Sequence, residues 1–207
     1  GVTGHLDATR LLRPLTLSRR TSVQSRAKLA LAVVLADRCE YSEAHRLLQQ
    51  AAQTAAAEGD RTCHCEAALR LLQVKLDSNG PNAASTVTSS LSRLVAETAA
   101  PHLFALMHVR LGGLEARRGL LDLAVRHLET AWRLLQDEPQ LVVAGTLWLD
   151  RSAVELYLGH YEEALKAARR ARATAESSGH LRHKLAALTN EAFLLQQLGR
   201  IGEAEEV

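Results

Sequence analysis

An all-α fold made of repeated helix pairs is what three features of this sequence predict. Apolar residues make up 47% of the chain but aromatic ones only 3%, with four Pro in 207 residues. The core must therefore be Leu, Ala and Val carried on helices. Ala recurs on a forty-residue grid at Ala44, Ala84, Ala124, Ala164 and Ala204. Gly119, Gly159 and Gly199 keep the same spacing, each five residues ahead of its Ala.

A periodicity of this length is the mark of a repeat architecture. Seven residues after the Ala column come Ala51, Ala131 and Ala171, with Leu91 as the exception. Positions seven apart share one helix face, so each pair is a seam of small residues that lets a neighbouring helix approach closely. The Gly column suits the left-handed residue that ends one helix before the next begins. Cys39 occupies that column in the first repeat. Two residues beyond it stand Tyr41, Leu121, Tyr161 and Ile201, bulky enough to pack over each turn.

Taken in order, the first repeat spans residues 21–58, with helices over Thr21–Arg38 and Ser42–Glu58; Ser42 is the expected N-cap and Gly59 the stop. The second spans 60–97 as Asp60–Leu76 and Pro81–Glu97, with Asn79, Gly80 and Pro81 forming the turn. Its turn is the least regular of the set. The third spans 101–136, divided at Arg118, and the fourth spans 139–177 as Pro139–Leu158 and Tyr161–Ser177. A fifth covers 179–207, pausing at Gly199, and residues 4–18 look like the second half of a preceding unit. The chain thus starts and ends within repeats and lacks an initiating Met, as expected of a segment of a larger protein.

The stretch Leu147–Ala171, with Trp148, Ser152, the turn Leu158–Ala164 and the seam Ala164/Ala171, resembles the tetratricopeptide repeat. Leu188–Glu206 carries the same pattern with Asn190, Ala192 and Gly199. The standard unit has about 34 residues, and the spacing here is similar to longer variants in bacterial regulators and peptide-binding sensors. The resemblance implies one array, a right-handed superhelical solenoid of about five antiparallel helix pairs, truncated at both ends. It also implies that the first helix of each pair lines a concave face that holds a protein segment or peptide.

On that implied face the grid aligns Ala30, Arg70, Arg110, Asp150 and Asn190, and further along Asp37, Asp77, Arg117, Tyr157 and Gln197. Phe193 lies in a neighbouring column. Arg70, Arg110 and Arg117 would make the middle of the groove basic, suited to bidentate capture of carboxylates. Structural ion pairing with Glu66, Asp77 or Asp150 is the simpler reading of the same residues. Tyr157 and Phe193 serve either as packing between repeats, the simpler reading, or as anchors for a partner. Asn190 is the one position to which the resemblance carries a role, that of holding a bound peptide backbone. The cations of the second helix of repeat four (Lys166, Arg169, Arg170, Arg172) read as a solvated outer face.

Sites of chemistry are not in evidence. Cys63, His64 and Cys65 are adjacent, but residues two apart on a helix diverge by about 200° and cannot share a tetrahedral ion without unwinding. Buried small side chains are the simpler role for both Cys residues. His180 and His183 lack a third ligand at a recognisable spacing. No phosphate loop, nucleophile elbow or paired-carboxylate constellation is present, so the expectation is a non-enzyme with neither cofactor nor metal. Basic and acidic residues number 25 and 23 without a basic block, which argues against nucleic acid. The longest apolar runs fall short of a membrane span, and an odd count of three Cys points to the cytoplasm.

The function so expected is that of a protein- or peptide-binding scaffold, the regulatory or sensor segment of a larger bacterial protein such as a transcription regulator. The alternatives are a docking or gating part of a multidomain enzyme, a protease or kinase, and a sensor of a peptide signal.

Overall fold

The computed structural model describes the backbone of residues 2–98, 100–137 and 141–207, and side chains from residue 8 onward within these, apart from that of residue 137. Pro139, the expected start of the fourth repeat, lies outside them. Eleven helices and no strand are found among the described residues. They run α1 (Val2–Leu15), α2 (Thr21–Asp37), α3 (Tyr41–Glu58), α4 (Arg61–Ser85), α5 (Thr88–Thr98), α6 (Pro101–Arg117), α7 (Leu121–Asp137), α8 (Leu141–Tyr157), α9 (Tyr161–Ser178), α10 (Leu181–Gln197) and α11 (Ile201–Glu205). The chain divides into two compact units, residues 1–103 and 104–207.

The Ala grid is the packing seam. Ala44, Ala84, Ala124 and Ala164 are fully enclosed, as are Ala51, Ala131 and Ala171, with Leu91 close to it. In the first unit α3 packs on both α2 and α4, and α2 also meets α4 directly. Its core gathers Leu31, Leu35, Leu47 and Leu48 around Ala32, Ala44, Ala51 and Ala67. In the second unit α9 packs on α8 and α10, and α8 meets α10. Within each unit two first helices therefore lie side by side with a second helix packed across both, because an Ala seam admits two neighbours at short range. This is the arrangement of a helical-repeat solenoid.

The turns repeat as closely as the seams. Gly119, Gly159 and Gly199 adopt φ values of 77°, 79° and 72°, and Cys39 in the same column takes φ 62°. The next N–H reaches back over each turn to a carbonyl five residues earlier: Glu40 to Leu35, Leu120 to Glu115, His160 to Glu155, and Arg200 to Leu195. Each of these bonds is 2.9 Å long. This is the Schellman closure, which satisfies carbonyls that a helix end leaves open. Cys39 is the only non-Gly residue with positive φ among the described residues.

Two local expectations are corrected. Glu40, not Ser42, is the N-cap of α3, and Ser42 lies within the first turn, since the Schellman turn delivers the chain into the helix two residues ahead of the expected cap. The second helix of repeat two is not continuous over Pro81–Glu97. Gly80 (φ 80°, ψ −179°) breaks α4 ahead of Pro81, and the chain leaves the helix again after Ser85. There the hydroxyls of Ser85, Thr86 and Thr88 donate to carbonyls three residues back, at 2.8, 2.7 and 2.9 Å. Such bonds offer the backbone an alternative to the α-helical ladder. Ala84 and Leu91 still face inward, so the seam survives the break.

A left-handed conformation costs a non-Gly residue about 1 kcal/mol. Cys39→Gly is therefore expected to stabilise the chain by about 1 kcal/mol, losing only a 3.6 Å contact from the Tyr41 hydroxyl to the sulfur. Gly159→Ala, where an added methyl meets nothing within 4 Å, is expected to lose about as much. Urea unfolding of both variants checks this, and an unaltered midpoint for Cys39→Gly would contradict the strain.

Candidate functional site

In the second unit the outward side of the first-helix layer is built by the equivalent residues of α8 and α10. Asp150, Ala153 and Tyr157 follow helical spacing on α8, and Asn190, Phe193 and Gln197 occupy the same three places on α10. Residues three and four apart share a helix face, so each triplet forms one stripe. Tyr157 is 71% exposed and Phe193 45% exposed, so neither ring is enclosed between repeats. Packing was the simpler expectation for both, and the structure places them at the surface instead. Gln197 is exposed and Asn190 half-buried. The stripe thus offers two open rings beside two amides.

The Arg candidates are placed differently. Arg70 belongs to the first unit and is half-buried; burial lowers its pKa, offset by the charges of Asp37 and Glu66. Arg110 is buried on α6, whereas Arg117, two turns further on the same face, is exposed. Gly113 lies between them, and a methyl there would sit 3.2 Å from a carboxylate oxygen of Asp150. The missing side chain lets the Asp150 carboxylate rest on the backbone of α6, between the two Arg positions. All three charged residues take part in polar or electrostatic interactions. In the first unit, Arg26 on α2 pairs with Asp60 at 3.0 Å.

Behind the stripe stand buried carboxylates that the sequence reading passed over. Glu191, 2% exposed, lies 2.8 Å from Nε of Arg169 and 2.9 Å from a guanidinium nitrogen of Arg172. Glu155, 4% exposed, lies 2.6 Å from Arg151 and 2.9 Å from Nδ1 of His160. Glu115 is buried and bonded to Arg118 at 3.1 Å. A buried charge needs such partners, and removing them would leave it costly. The expectation of a solvated outer face for Arg169, Arg170 and Arg172 is thereby corrected. Two of these residues tie α9 to α10 through Glu191, and Arg170 stacks over the Trp148 ring, 4.7 Å from its centroid. Glu115 and Glu155 stand forty apart, each four residues ahead of a turn Gly, a signal that could have found them. The cations of Glu191 come from another helix, 22 and 19 residues earlier in the chain, and no local pattern shows them.

A His pair joins α6 to α7. Nδ1 of His108 and Nδ1 of His127 lie 3.0 Å apart, so one ring must donate and the other accept. Burial holds both below the ordinary His value. For His108, neighbouring His127 and Arg133 lower it further; for His127, Glu115 opposes the shift. His45 is lowered by burial and by Lys75.

Cys63 and Cys65 are buried on α4, and burial raises both thiols, that of Cys65 to about 11. Asp60 accepts from the N–H of Cys63 at 3.0 Å and caps that helix. Among the described residues no three His, Cys, Asp or Glu side chains are grouped as metal ligands, and no helix is long and apolar enough to cross a membrane.

No protein-family model matches this sequence, and no curated protein matches it. Solved structures do. A signal transduction ATPase with numerous domains carrying a tetratricopeptide repeat sensor, from Pyrococcus horikoshii, superposes with a TM-score of 0.71 at 16% identity, over 96% of this chain and 30% of that one. BtubC from P. vanneervenii gives 0.67 at 13% identity, over 99% and 85% of the two chains. The apo form of RapI gives 0.64 at 14% identity, over 97% and 86%. This chain accordingly spans less than a third of the ATPase. At these identities the likeness is one of fold, a tetratricopeptide-like helical repeat.

Because His45, His108 and His127 titrate lower in the folded chain than in the unfolded one, the unfolded chain takes up protons first as pH falls. Their contribution to stability is intact above the ordinary value of 6.5 and is lost below it. The melting temperature is expected to fall between about pH 7 and about pH 5, and replacing His108 and His127 together by Gln should flatten that slope. Melts across this range check it; an unchanged slope in the double variant would contradict the assignment.

Proposed function

We propose that this chain is a protein- or peptide-binding module and that the stripe of Asp150, Tyr157, Asn190, Phe193 and Gln197 is where the partner lies. The exposure of Tyr157 and Phe193 beside two amides carries this reading. Other apolar side chains of the unit, Leu181 and Leu185 among them, are also exposed. Only at Tyr157 and Phe193 do open rings stand beside amides, and large rings are the side chains that most often anchor partners. The amides of Asn190 and Gln197 can pair with the N–H and C=O groups of an extended backbone. Asp150 and Arg117 supply charge of either sign at the edge. Arg70 and Arg110 are assigned to support of the helix layer, where burial favours a structural role.

The module performs no catalysis of its own and needs no cofactor. We infer further that it is the regulatory part of a larger bacterial, cytoplasmic protein, such as a transcription regulator; one comparison supports the regulatory part of this reading. The Pyrococcus ATPase carries a tetratricopeptide repeat sensor, and this chain covers 30% of that protein. The docking part of an enzyme would use the same surface, but no feature of this chain favours that reading.

A peptide selected from a displayed library against the intact chain provides the ligand for a test. Tyr157→Ala, Asn190→Ala and Phe193→Ala are each expected to weaken its binding about tenfold, with helicity unchanged. Calorimetry reads the affinities, and equal binding by all three variants would remove the stripe from consideration.

A further inference from the structure

The two Trp of the chain meet away from the stripe just described, in a cleft of about 280 Å³ among α7, α8 and α9. Trp132 and Trp148 pack edge to face, with centroids 4.8 Å apart. Trp148 belongs to the pattern of its own repeat, but the forty-residue grid does not carry either ring into the other repeats. The forty-residue equivalents of Trp132 are Ala52, Ser92 and Arg172, and those of Trp148 are Lys28, Ala68, His108 and Leu188. Trp132 also remains 39% exposed, so it does not serve as core alone.

The charges of the cleft are divided unequally. Arg151 faces Glu155 at 2.6 Å and Glu129 at 3.8 Å, and Lys166 holds Glu163 at 2.7 Å. Arg170 stacks over Trp148, and among the described residues no carboxylate forms an ion pair with it. Stacking fixes the plane of a guanidinium while leaving its edge free to donate two parallel hydrogen bonds. The three cations and three carboxylates sum to no net charge, so the cleft has no general attraction for anions. Selection falls on one group, a carboxylate placed at the edge of Arg170.

From this geometry we infer that the cleft binds a small aromatic carboxylate, its ring against Trp132 and its carboxylate on Arg170. The volume is just below the roughly 300 Å³ at which ligand pockets begin, which suits one ring with a short acidic arm. An extended peptide would need more room. This site is separate in residues from the stripe on α8 and α10, and it stands whether or not that stripe binds a partner.

Because both Trp residues line the cleft, intrinsic fluorescence reports on it alone. The intact chain is titrated with 3-phenylpropanoate, whose ring does not absorb at the red edge of the Trp band. The neutral amide of the same acid and propanoate without a ring serve as comparisons. Saturable change with 3-phenylpropanoate is expected, with each comparison compound about tenfold weaker. Arg170→Gln, at an exposed position, should reduce 3-phenylpropanoate to the level of its amide while helicity and melting are retained. Phe193→Ala should leave the response unchanged. No saturable response, equal binding of acid and amide, or undiminished binding by Arg170→Gln would each overturn the inference. Tighter binding of a heptapeptide with an internal Phe-Glu pair would overturn the small-molecule assignment.

Discussion

Close approach of helices at the Ala seam is the constraint on which the rest of the structure depends. With 3% aromatic residues, the chain cannot fill wide gaps between helices with rings. It closes the gaps instead, by placing a methyl group where two neighbours meet. Ala44, Ala84, Ala124 and Ala164 have no exposed surface at all, and within their units α3 and α9 each contact two first helices at once. A larger side chain in the seam would have to displace backbone, since interiors packed at this density have no slack.

The turns follow from the seam. If second helices must return at a fixed distance, each turn must have the same length and closure, and the four 2.9 Å bonds from Glu40, Leu120, His160 and Arg200 are that closure. The backbone carbonyls of buried Glu115 and Glu155 accept the closing bonds of two of these turns while their side chains bind Arg118, Arg151 and His160. The same residues thus set the turn and hold its charges. With the inner side satisfied in this way, the outer side of α8 and α10 is free to carry residues that packing does not demand, and there Tyr157 and Phe193 stand open to solvent.

The features legible in the sequence were those the backbone enforces. A column of Ala and a column of Gly report helix spacing and left-handed turns, and even Cys39 could be placed because its column, not its type, dictated φ. What was not legible depended on partners distant in sequence. Arg169 and Arg172 read as solvated until Glu191 was found between them. Trp132 and Trp148 lie in different helices, and only the fold brings Arg170 from a third helix over one of them. The break after Ser85 came from side-chain hydroxyls competing for carbonyls, a local effect that the strength of the Ala column concealed.

The central claim is that the first-helix face of the second unit receives a partner. Hydrogen exchange with and without a bound, selected peptide tests this most directly, because it maps contact by segment and requires no substitution. The account predicts slowed exchange in 149–157 and 189–197, with the α9 segment 161–178 unaffected. Protection confined to α9, or absent from both α8 and α10 while the peptide is bound, would contradict it.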